Sequence, residues 1–226
     1  LFYILSKLFL SGGGHANKTK KLDRLFEAHL PKSKRVLYIP IAMPPKKYTF
    51  GQCYDWIRVV FPKLKIDMWT DLSNRKFEDV NKYDAIYIGG GNTFYLLDQI
   101  RSTKFDKLLT KFYKVGGIIY GLSAGAIIFG KDIQTAGIGD GDKNLVGLTN
   151  FSGFNMVKNF SLQCHYSGLD DEEIIQYSKE QKTGVIGLPD DTGLVIAGKT
   201  IKVIGESSAV LFDNKSRIVY MNDSLI

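Results

Sequence analysis

Short apolar runs alternate with longer amphipathic runs over the first 130 residues, and this alternation restricts the folds open to the chain. Three of the apolar runs are 7–14, 35–42 and 65–70, and three of the amphipathic runs are 17–30, 49–61 and 102–116. Strands that alternate with helices predict an α/β fold, with a mainly parallel central sheet and helices on both faces. With 226 residues and no linker-like stretch, the chain is expected to form a single domain, 1–226.

The last third of the chain is richer in segments typical of strands. One helix is expected at about 169–180, and Asn17 is expected to cap the helix over 17–30. The predicted strands are "LVGL" (145–148), "VKNFSLQCHY" (157–166), "GVIGLP" (184–189), "GLVIAG" (193–198), "TIKVIG" (200–205) and "SRIVYMN" (216–222). The sequence therefore predicts extra strands beside the central sheet.

Three glycine turns follow predicted strands, at 12–14, 89–91 and 121–125. In a parallel α/β sheet such turns fall at the carboxyl ends of the strands, where binding sites collect. The turn "GGGNTF" has neither dinucleotide-binding nor phosphate-loop spacing, and "SGGGHANKTKK" lacks it as well. The three turns are expected to meet at one edge of the sheet.

"GLSAGA" (121–126) fits the G-x-S-x-G nucleophile elbow. The serine of such an elbow projects from a sharp strand-to-helix turn, so glycine is favoured two residues before and after it. The following helix points its amide end at the serine oxygen, which favours a developing anion. Ser123 is therefore a candidate nucleophile, and the alternative is a tight turn that packs a helix on the sheet.

A nucleophilic serine needs a base, and the chain has three histidines. His165 ends the run "NFSLQCHY", so it is expected at a strand end near the serine. His15 competes because its glycine turn lies at the same edge, whereas His29 ends a predicted amphipathic helix and is expected at the surface. An acid could come from Asp190 or Asp191, in a turn between two apolar strands, although turn chemistry alone also explains that pair.

An oxyanion hole needs two backbone N–H groups. Ala124, directly after the serine, can supply one, and the turn of Gly89, Gly90, Gly91 and Asn92 can supply the other, because glycine lets the backbone approach a substrate closely. The order serine, histidine, aspartate differs from the order in α/β-hydrolases and argues against that family.

Composition limits the partners of the chain. The net charge of +7 comes without a nucleic-acid-binding signature, so no nucleic-acid partner is expected. Two distant cysteines without a CxxC motif predict neither a zinc site nor a redox site and fit a reducing cytoplasm. The apolar start, ten residues broken by Lys7, is too short to span a membrane. Because the chain begins with Leu1 rather than Met, residues 1–6 are expected to be a remnant from upstream or from cloning.

Four segments together resemble the dipeptidase E (aspartyl dipeptidase) group of serine peptidases, peptidase family S51. They are "IYIGGGNTFYLL" (86–97), "GLSAGA" (121–126), "QCHYSG" (163–168) and "GLPDDTGLVI" (187–196), and "LFLSGGG" near the start resembles the first strand and turn of the family. The resemblance covers nearly the whole chain from residue 7. It implies a fold similar to class I glutamine amidotransferases, with serine in place of their cysteine, and no metal or organic cofactor.

The resemblance also assigns roles to residues. Ser123 matches the nucleophile, His165 the histidine and Asp190 the acid, while Gly91 and Ala124 match the oxyanion-hole amides. Asn92 and Asp191 are the expected substrate contacts. The acid is glutamate in the best-known members, so the shorter aspartate requires a closer loop and keeps Asp191 as an alternative.

The implied activity is cytoplasmic hydrolysis of short peptides by a monomer or homodimer. A preference for N-terminal aspartate is in doubt, because the segment after the histidine, "GLDDEEIIQYSKEQ" (168–181), has no arginine; Lys131 could supply a cation instead. The alternatives are a cyanophycinase-like hydrolase of β-aspartyl links, a catalytically silent small-molecule-binding homologue and, more distantly, a nucleotide-binding protein that uses the first glycine turn.

Overall fold

The computed structural model describes residues 6–42, 49–213 and 216–226. In chain order the elements are β1 (Lys7–Ser11), α1 (Lys20–His29), β2 (Arg35–Ile39), α2 (Phe50–Val60), β3 (Lys65–Met68), α3 (Phe77–Val80), β4 (Ala85–Ile88), α4 (Thr93–Ser102), α5 (Phe105–Lys114), β5 (Ile118–Leu122), α6 (Ala124–Ile127), a 3-10 helix (Gln134–Gly137), β6 (Ser161–Cys164), α7 (Asp171–Gln181), β7 (Val185–Leu188), β8 (Thr192–Ala197), β9 (Thr200–Gly205), β10 (Ala209–Asp213) and β11 (Ser216–Tyr220).

The main sheet has seven strands in the order β3-β2-β4-β5-β1-β8-β9. The strands from β3 to β1 pair in parallel, and β8 and β9 are added antiparallel at one side. The predicted α/β class with a mainly parallel sheet is therefore confirmed. Because β4, β5 and β1 are neighbours, the three glycine turns that follow them leave the same edge of the sheet side by side.

Helices cover both faces of this sheet because successive strand side chains point in opposite directions. On β1, Leu8 and Leu10 pack with the cluster that includes residues of α4, α5 and α6, whereas Phe9 packs with α1 and α2. The strands β1, β2, β4 and β5 are almost entirely buried, as strands covered on both faces are. Apolar packing on both faces therefore supports the strands that lead into the three glycine turns.

A second sheet of four strands, in the order β11-β10-β7-β6, supplies the extra strands predicted for the last third. Helix α7 packs on it through Ile174, which lies in one cluster with Val185 and Phe212. Strands β6 and β7 are parallel, with Cys164 opposite Leu188. That register brings the residues after the two strands, His165 and the turn at 189–191, to the same end.

Two local predictions are wrong, and one strand was not predicted. Segment 145–148 is not a strand, because the side chain of Asn144 bonds both backbone groups of Leu148, at 2.8 and 2.9 Å, and closes a turn. Asn17 does not cap α1: Thr19 holds the cap position, and its hydroxyl donates to Asp23 instead. Strand β10 had no prediction, although it pairs with both β7 and β11.

In the described ranges, no helix combines the length and the apolar character needed to cross a bilayer.

Candidate active site

A cleft of about 650 Å³ opens where the turns after β1, β4 and β5 meet the end of β6. Such a volume lies within the usual range for small-molecule sites. Residues that line it include Gly13, Gly90, Ser123 and His165. The carboxyl edge of the parallel sheet therefore carries the cleft, as the positions of the glycine turns predict.

Ser123 has the strained backbone of a nucleophile elbow, with φ 52° and ψ −113°. Its N–H donates to the carbonyl of Ser11 at 3.0 Å, which ties the turn to β1. A Cβ on Gly121 would lie 2.2 Å from the carbonyl oxygen of Gly125, and a Cβ on Gly125 would lie 2.4 Å from that of Ile88. Lack of space, rather than an unusual φ, therefore requires both glycines.

His165 directly follows β6 and reaches the serine. Its backbone has φ 55°, and its N–H donates to the carbonyl of Gly12 at 2.8 Å, so the first glycine turn anchors it. A Cβ on Gly13 would lie 2.2 Å from the imidazole Cε1, so only glycine leaves room for this ring. The distance from Ser123 Oγ to His165 Nε2 is 2.7 Å.

The far side of the imidazole contacts Asp190. His165 Nδ1 lies 2.7 Å from Asp190 Oδ1. In the tautomer that this arrangement requires, Nδ1–H donates to the carboxylate and Nε2 accepts from the serine hydroxyl. Asp191 points elsewhere, because its carboxylate accepts from the hydroxyls of Ser207 and Thr192 at 3.0 and 3.2 Å. The geometry therefore selects Asp190 from the pair, and it gives no support to a substrate contact by Asp191, which does not line the cleft.

The other two histidines lie outside the cleft. His15 is exposed in the first glycine turn, where its carbonyl accepts from Lys18 and Thr19. His29 Nδ1 lies 2.7 Å from the carbonyl of Leu25, and the ring packs 5.5 Å from that of Phe9. Neither ring is placed to contact Ser123.

The expected oxyanion-hole amides belong to Gly91 and Ala124. Within the described ranges, neither N–H donates to another protein group. The turn is held in place by its neighbour, because the N–H of Asn92 donates to the carbonyl of Ala42 at 2.7 Å. Gly91 has φ 143°, and a Cβ there would lie 2.4 Å from the same carbonyl oxygen, so the turn requires glycine. Both amides remain candidates for binding an oxyanion.

Asn92 lines the cleft, but its side chain is already engaged. Its Oδ1 accepts from the N–H of Tyr95 at 2.9 Å, which caps α4, and its Nδ2 donates to the carbonyl of Lys143 at 2.9 Å. The structure thus gives Asn92 a positioning role, and the predicted substrate contact stays a prediction.

A thiol lies beside the serine. Cys164 is buried, with Sγ 3.6 Å from the carbonyl oxygen of Ser123. Burial, together with the charges of Asp190 and Asp142, raises the pKa of this thiol well above its ordinary range. The protonated thiol is a poor nucleophile, so Ser123 is the better candidate.

Four polar residues of the cleft were not predicted from the sequence. They are Asp140, Asp142, Gln163 and Asp170. The segment "GIGDGDK" (137–143) carried a usable signal, because acidic residues in a glycine-rich loop after the elbow can fold back over it. Lys131, the suggested cation, does not line the cleft; its backbone pairs with Phe160 and Gly153.

No group of three or more candidate ligands for a metal ion occurs among residues 6–42, 49–213 and 216–226.

A serine, an imidazole and a carboxylate lie in one relay on the carboxyl edge of a parallel sheet, an arrangement that hydrolases with an activated serine also use. The sequence profile of peptidase family S51 matches residues 8–204. The chain therefore belongs to peptidase family S51.

Similar proteins carry peptidase names. The chain is 30% identical over 184 residues to an uncharacterized peptidase of Listeria monocytogenes serovar 1/2a, with 78% of this chain and 88% of the relative covered. It is 26% identical over 205 residues to a peptidase E of Nostoc sp., covering 85% and 82%.

Two crystal structures share the fold. A candidate peptidase E protein from Listeria monocytogenes EGD-e has a TM-score of 0.70 at 27% identity, over 90% of this chain and all of the other. A peptidase from an acI-B1 actinobacterium has a TM-score of 0.72 at 18% identity, over 98% and 96%, and shows the likeness of the fold alone. The predicted family and fold are thereby confirmed.

Proposed function

We propose that the protein is a serine peptidase that hydrolyses short peptides through an acyl-enzyme intermediate. The observation that carries this proposal is the relay from Ser123 Oγ through His165 to Asp190, with both contacts at 2.7 Å. Distances of this size fall within the range for a nucleophile and its general base. Membership of peptidase family S51 supports the reaction type.

The reaction follows from the roles of these groups. His165 Nε2 takes the proton of the Ser123 hydroxyl as Oγ attacks the scissile carbonyl, and Asp190 stabilises the imidazolium that forms. The amides of Gly91 and Ala124 donate to the oxyanion. His165 then protonates the leaving amine, and a water molecule, deprotonated by His165, hydrolyses the ester and releases Ser123.

The size of the cleft favours short substrates. A volume of about 650 Å³ suits a ligand of a few residues rather than a folded chain. The Nostoc relative is named peptidase E, which is consistent with hydrolysis of peptides. A preference for N-terminal aspartate gains no support from the cleft, since no lysine or arginine is among its described lining residues.

The proposal is tested with Ser123→Ala beside the control Ser102→Ala, which changes a hydroxyl at the end of α4. Peptide mixtures, including aspartyl dipeptides and β-aspartyl-arginine, are followed by mass spectrometry, and the serine is probed with a fluorophosphonate. We expect Ser123→Ala to lose hydrolysis by at least about 10⁴-fold, together with labelling, because the nucleophile is gone. Full activity in that variant, or a wild type that neither labels nor hydrolyses, would contradict the proposal.

A further inference from the structure

Tyr166 directly follows the candidate base, and its side chain is fixed outside the cleft. Only 8% of its surface is exposed, and its ring packs edge-on against that of Phe212, with 5.7 Å between the ring centroids. A Cβ on Gly187 of β7 would lie 2.8 Å from Tyr166 Cγ, so only glycine leaves room for the ring there. The ring of Tyr166 is therefore held between β7 and β10.

The hydroxyl of Tyr166 belongs to a cluster with a carboxylate and a guanidinium. It donates to Asp171 Oδ1 at 2.7 Å and accepts from Arg217 Nη2 at 3.1 Å. Arg217 Nε in turn lies 3.1 Å from Asp171 Oδ2, which closes the cluster. Burial, followed by the bond to Asp171, raises the pKa of the Tyr166 hydroxyl, so this group keeps its proton near neutral pH and can donate. The cluster joins the residue after β6 to the first turn of α7 and to β11.

The backbone of Tyr166 connects this cluster to the relay. Its N–H donates to the carbonyl of Leu188 at 3.1 Å, two residues before Asp190. The residue before it, His165, has φ 55°, which is unfavourable for a side chain with a Cβ and persists only where the surroundings hold it. One flank of this strained residue is held by its own bond to Gly12, and the other flank is Tyr166. The orientation of the imidazole therefore depends on both flanks.

The cluster is separate from the substrate cleft. Within the described ranges, the residues that line the cleft include none of its three members. An effect of these side chains on the reaction must therefore pass through the residue that Tyr166 adjoins, rather than through contact with a peptide.

We propose that Tyr166, anchored by its hydroxyl to Asp171 and Arg217, is a positioning residue that holds the imidazole of the base in contact with both of its partners. This inference rests on the proposed function, because it takes His165 as the base that activates Ser123. Misplacing a catalytic group by a fraction of an ångström slows the chemical step, whereas the contacts that bind the substrate are unchanged.

Tyr166→Phe removes the hydroxyl and keeps the buried ring. We expect kcat and the rate of fluorophosphonate labelling to fall by about tenfold, and KM to stay within about twofold. Steady-state kinetics and the time course of labelling measure these effects, and urea denaturation measures the free energy of unfolding.

Tyr83→Phe is the matched control. Tyr83 is also buried, donates to Asp67 at 2.9 Å and belongs to a similar cluster, in which Arg35 lies 3.5 Å from that carboxylate. This cluster lies at the amino end of β4, away from the cleft. The control should lower stability to a similar extent, while kcat and the labelling rate stay within about twofold of the wild type.

Nitrogen NMR of the imidazoles reports the position of the ring without turnover. The chain has three histidines, so His15 and His29 serve as internal references, and His165→Gln assigns the remaining signals. We expect Tyr166→Phe to shift the ring nitrogens of His165 and to leave those of the other two unchanged.

Further variants test whether the cluster acts as a unit. Asp171→Asn and Arg217→Gln should each slow labelling several-fold, and Arg217→Lys, which keeps the charge, should retain more activity than Arg217→Gln. Because groups of one network are not additive, Tyr166→Phe combined with Asp171→Asn should be no more than about twofold slower than the slower single variant.

The outcomes separate this inference from the proposed function. Tyr166→Phe with wild-type labelling and unchanged signals of His165, a change confined to KM, or an equal loss of rate in Tyr83→Phe overturns the inference. Single effects that multiply fully in the double variant also overturn it, because the side chains then act independently. A wild type that neither labels nor hydrolyses overturns the proposed function, and the ring signals of His165 then still decide whether Tyr166 positions the imidazole.

Discussion

At the scale of single residues, two adjacent aspartates have different surroundings. Asp190 contacts the imidazole of His165 at 2.7 Å, whereas Asp191 accepts from Ser207 and Thr192. The two residues have the same side chain and adjacent positions in the sequence. The same substitution made at each of them in turn therefore differs mainly in whether it removes the contact with His165. This contact matters because it fixes which imidazole nitrogen carries the proton.

We expect Asp190→Asn to lower kcat by about 10²–10⁴-fold, since an amide favours the tautomer that cannot accept the proton of Ser123. Steady-state kinetics on a cleaved dipeptide measure the effect, and circular dichroism checks the fold. Asp191→Asn is the control and should leave kcat within about threefold, because its contacts lie outside the relay. A larger loss in the control than in Asp190→Asn would assign the acid to Asp191.

The sequence predicted the residues whose chemistry is local. Ser123 is recognisable because only glycine fits at positions 121 and 125, which produces the G-x-S-x-G spacing around the serine. The chain also has only three histidines that could act as its base. The family resemblance named Asp190 as the acid, but the residues alone left the choice between the adjacent aspartates open, because it depends on which way a turn projects each side chain. Gln163 gave no signal at all, since a glutamine in a buried strand reaches a cleft only through the packing of distant elements.

At the scale of elements, one side chain joins a helix to the loop beside the cleft. Asn92 caps α4 through Tyr95 and holds the carbonyl of Lys143 through its amide group. Asp142, the residue before Lys143, accepts a hydrogen bond from the N–H of Thr93 at the start of the same helix. Hydrogen bonds therefore attach the loop that carries Asp142 and Lys143 to α4, the helix that follows the second glycine turn.

We expect Asn92→Ala to lower the free energy of unfolding by about 1 kcal/mol, because it removes an N-cap acceptor. Asn92→Asp keeps an acceptor for the N–H of Tyr95 and should recover most of that loss, while it still loses the bond to Lys143. Urea denaturation followed by circular dichroism measures both. If Asn92→Ala leaves stability unchanged and raises only KM, the side chain binds substrate instead.

The elements themselves were predictable where one strong pattern dominates. Strands β1, β2, β4 and β5 are buried on both faces, so their sequences are continuous apolar runs. Segment 145–148 has a similar apolar sequence, but it is not a strand. The side chain of Asn144 bonds the backbone of Leu148 and closes the segment into a turn, and Leu145 is exposed. Strand β10 was missed, and its place between β7 and β11 is set by pairing across the small sheet, which local sequence does not encode.

At the scale of the whole molecule, the face of the sheet away from the cleft contains a buried charge. Asp23 of α1 is 7% exposed, and its carboxylate accepts from the hydroxyls of Thr19 and Tyr120 at 2.5 and 2.7 Å. Tyr120 belongs to β5, the strand that ends at Ser123, and its ring stacks on that of Tyr87 at 4.5 Å. Asp23 therefore links a covering helix to the central strand of the site.

Burial raises the pKa of Asp23 from 3.8 to about 6, although both hydroxyl bonds oppose the shift. Between these two pH values the folded protein holds a proton that the unfolded chain has released. The stabilisation is therefore complete below about pH 4 and is lost as the pH rises to about 6. A shift of about two units corresponds to about 3 kcal/mol.

Other carboxylates titrate in the opposite sense, so the pH profile of the wild type alone is not diagnostic. The pKa of Asp223 is lowered by its bond and ion pair with Lys202, and such a group gains stability with rising pH. Asp23→Asn isolates one group, because asparagine cannot titrate. Its free energy of unfolding, taken relative to the wild type in urea at several pH values, should increase by about 2 kcal/mol from pH 4 to pH 6, and the whole increase should level off near pH 7 at about 3 kcal/mol. If the free energies of unfolding of the two proteins differ by the same amount at every pH, Asp23 remains ionised in the folded protein. That constant difference would then be the cost of replacing the carboxylate by an amide.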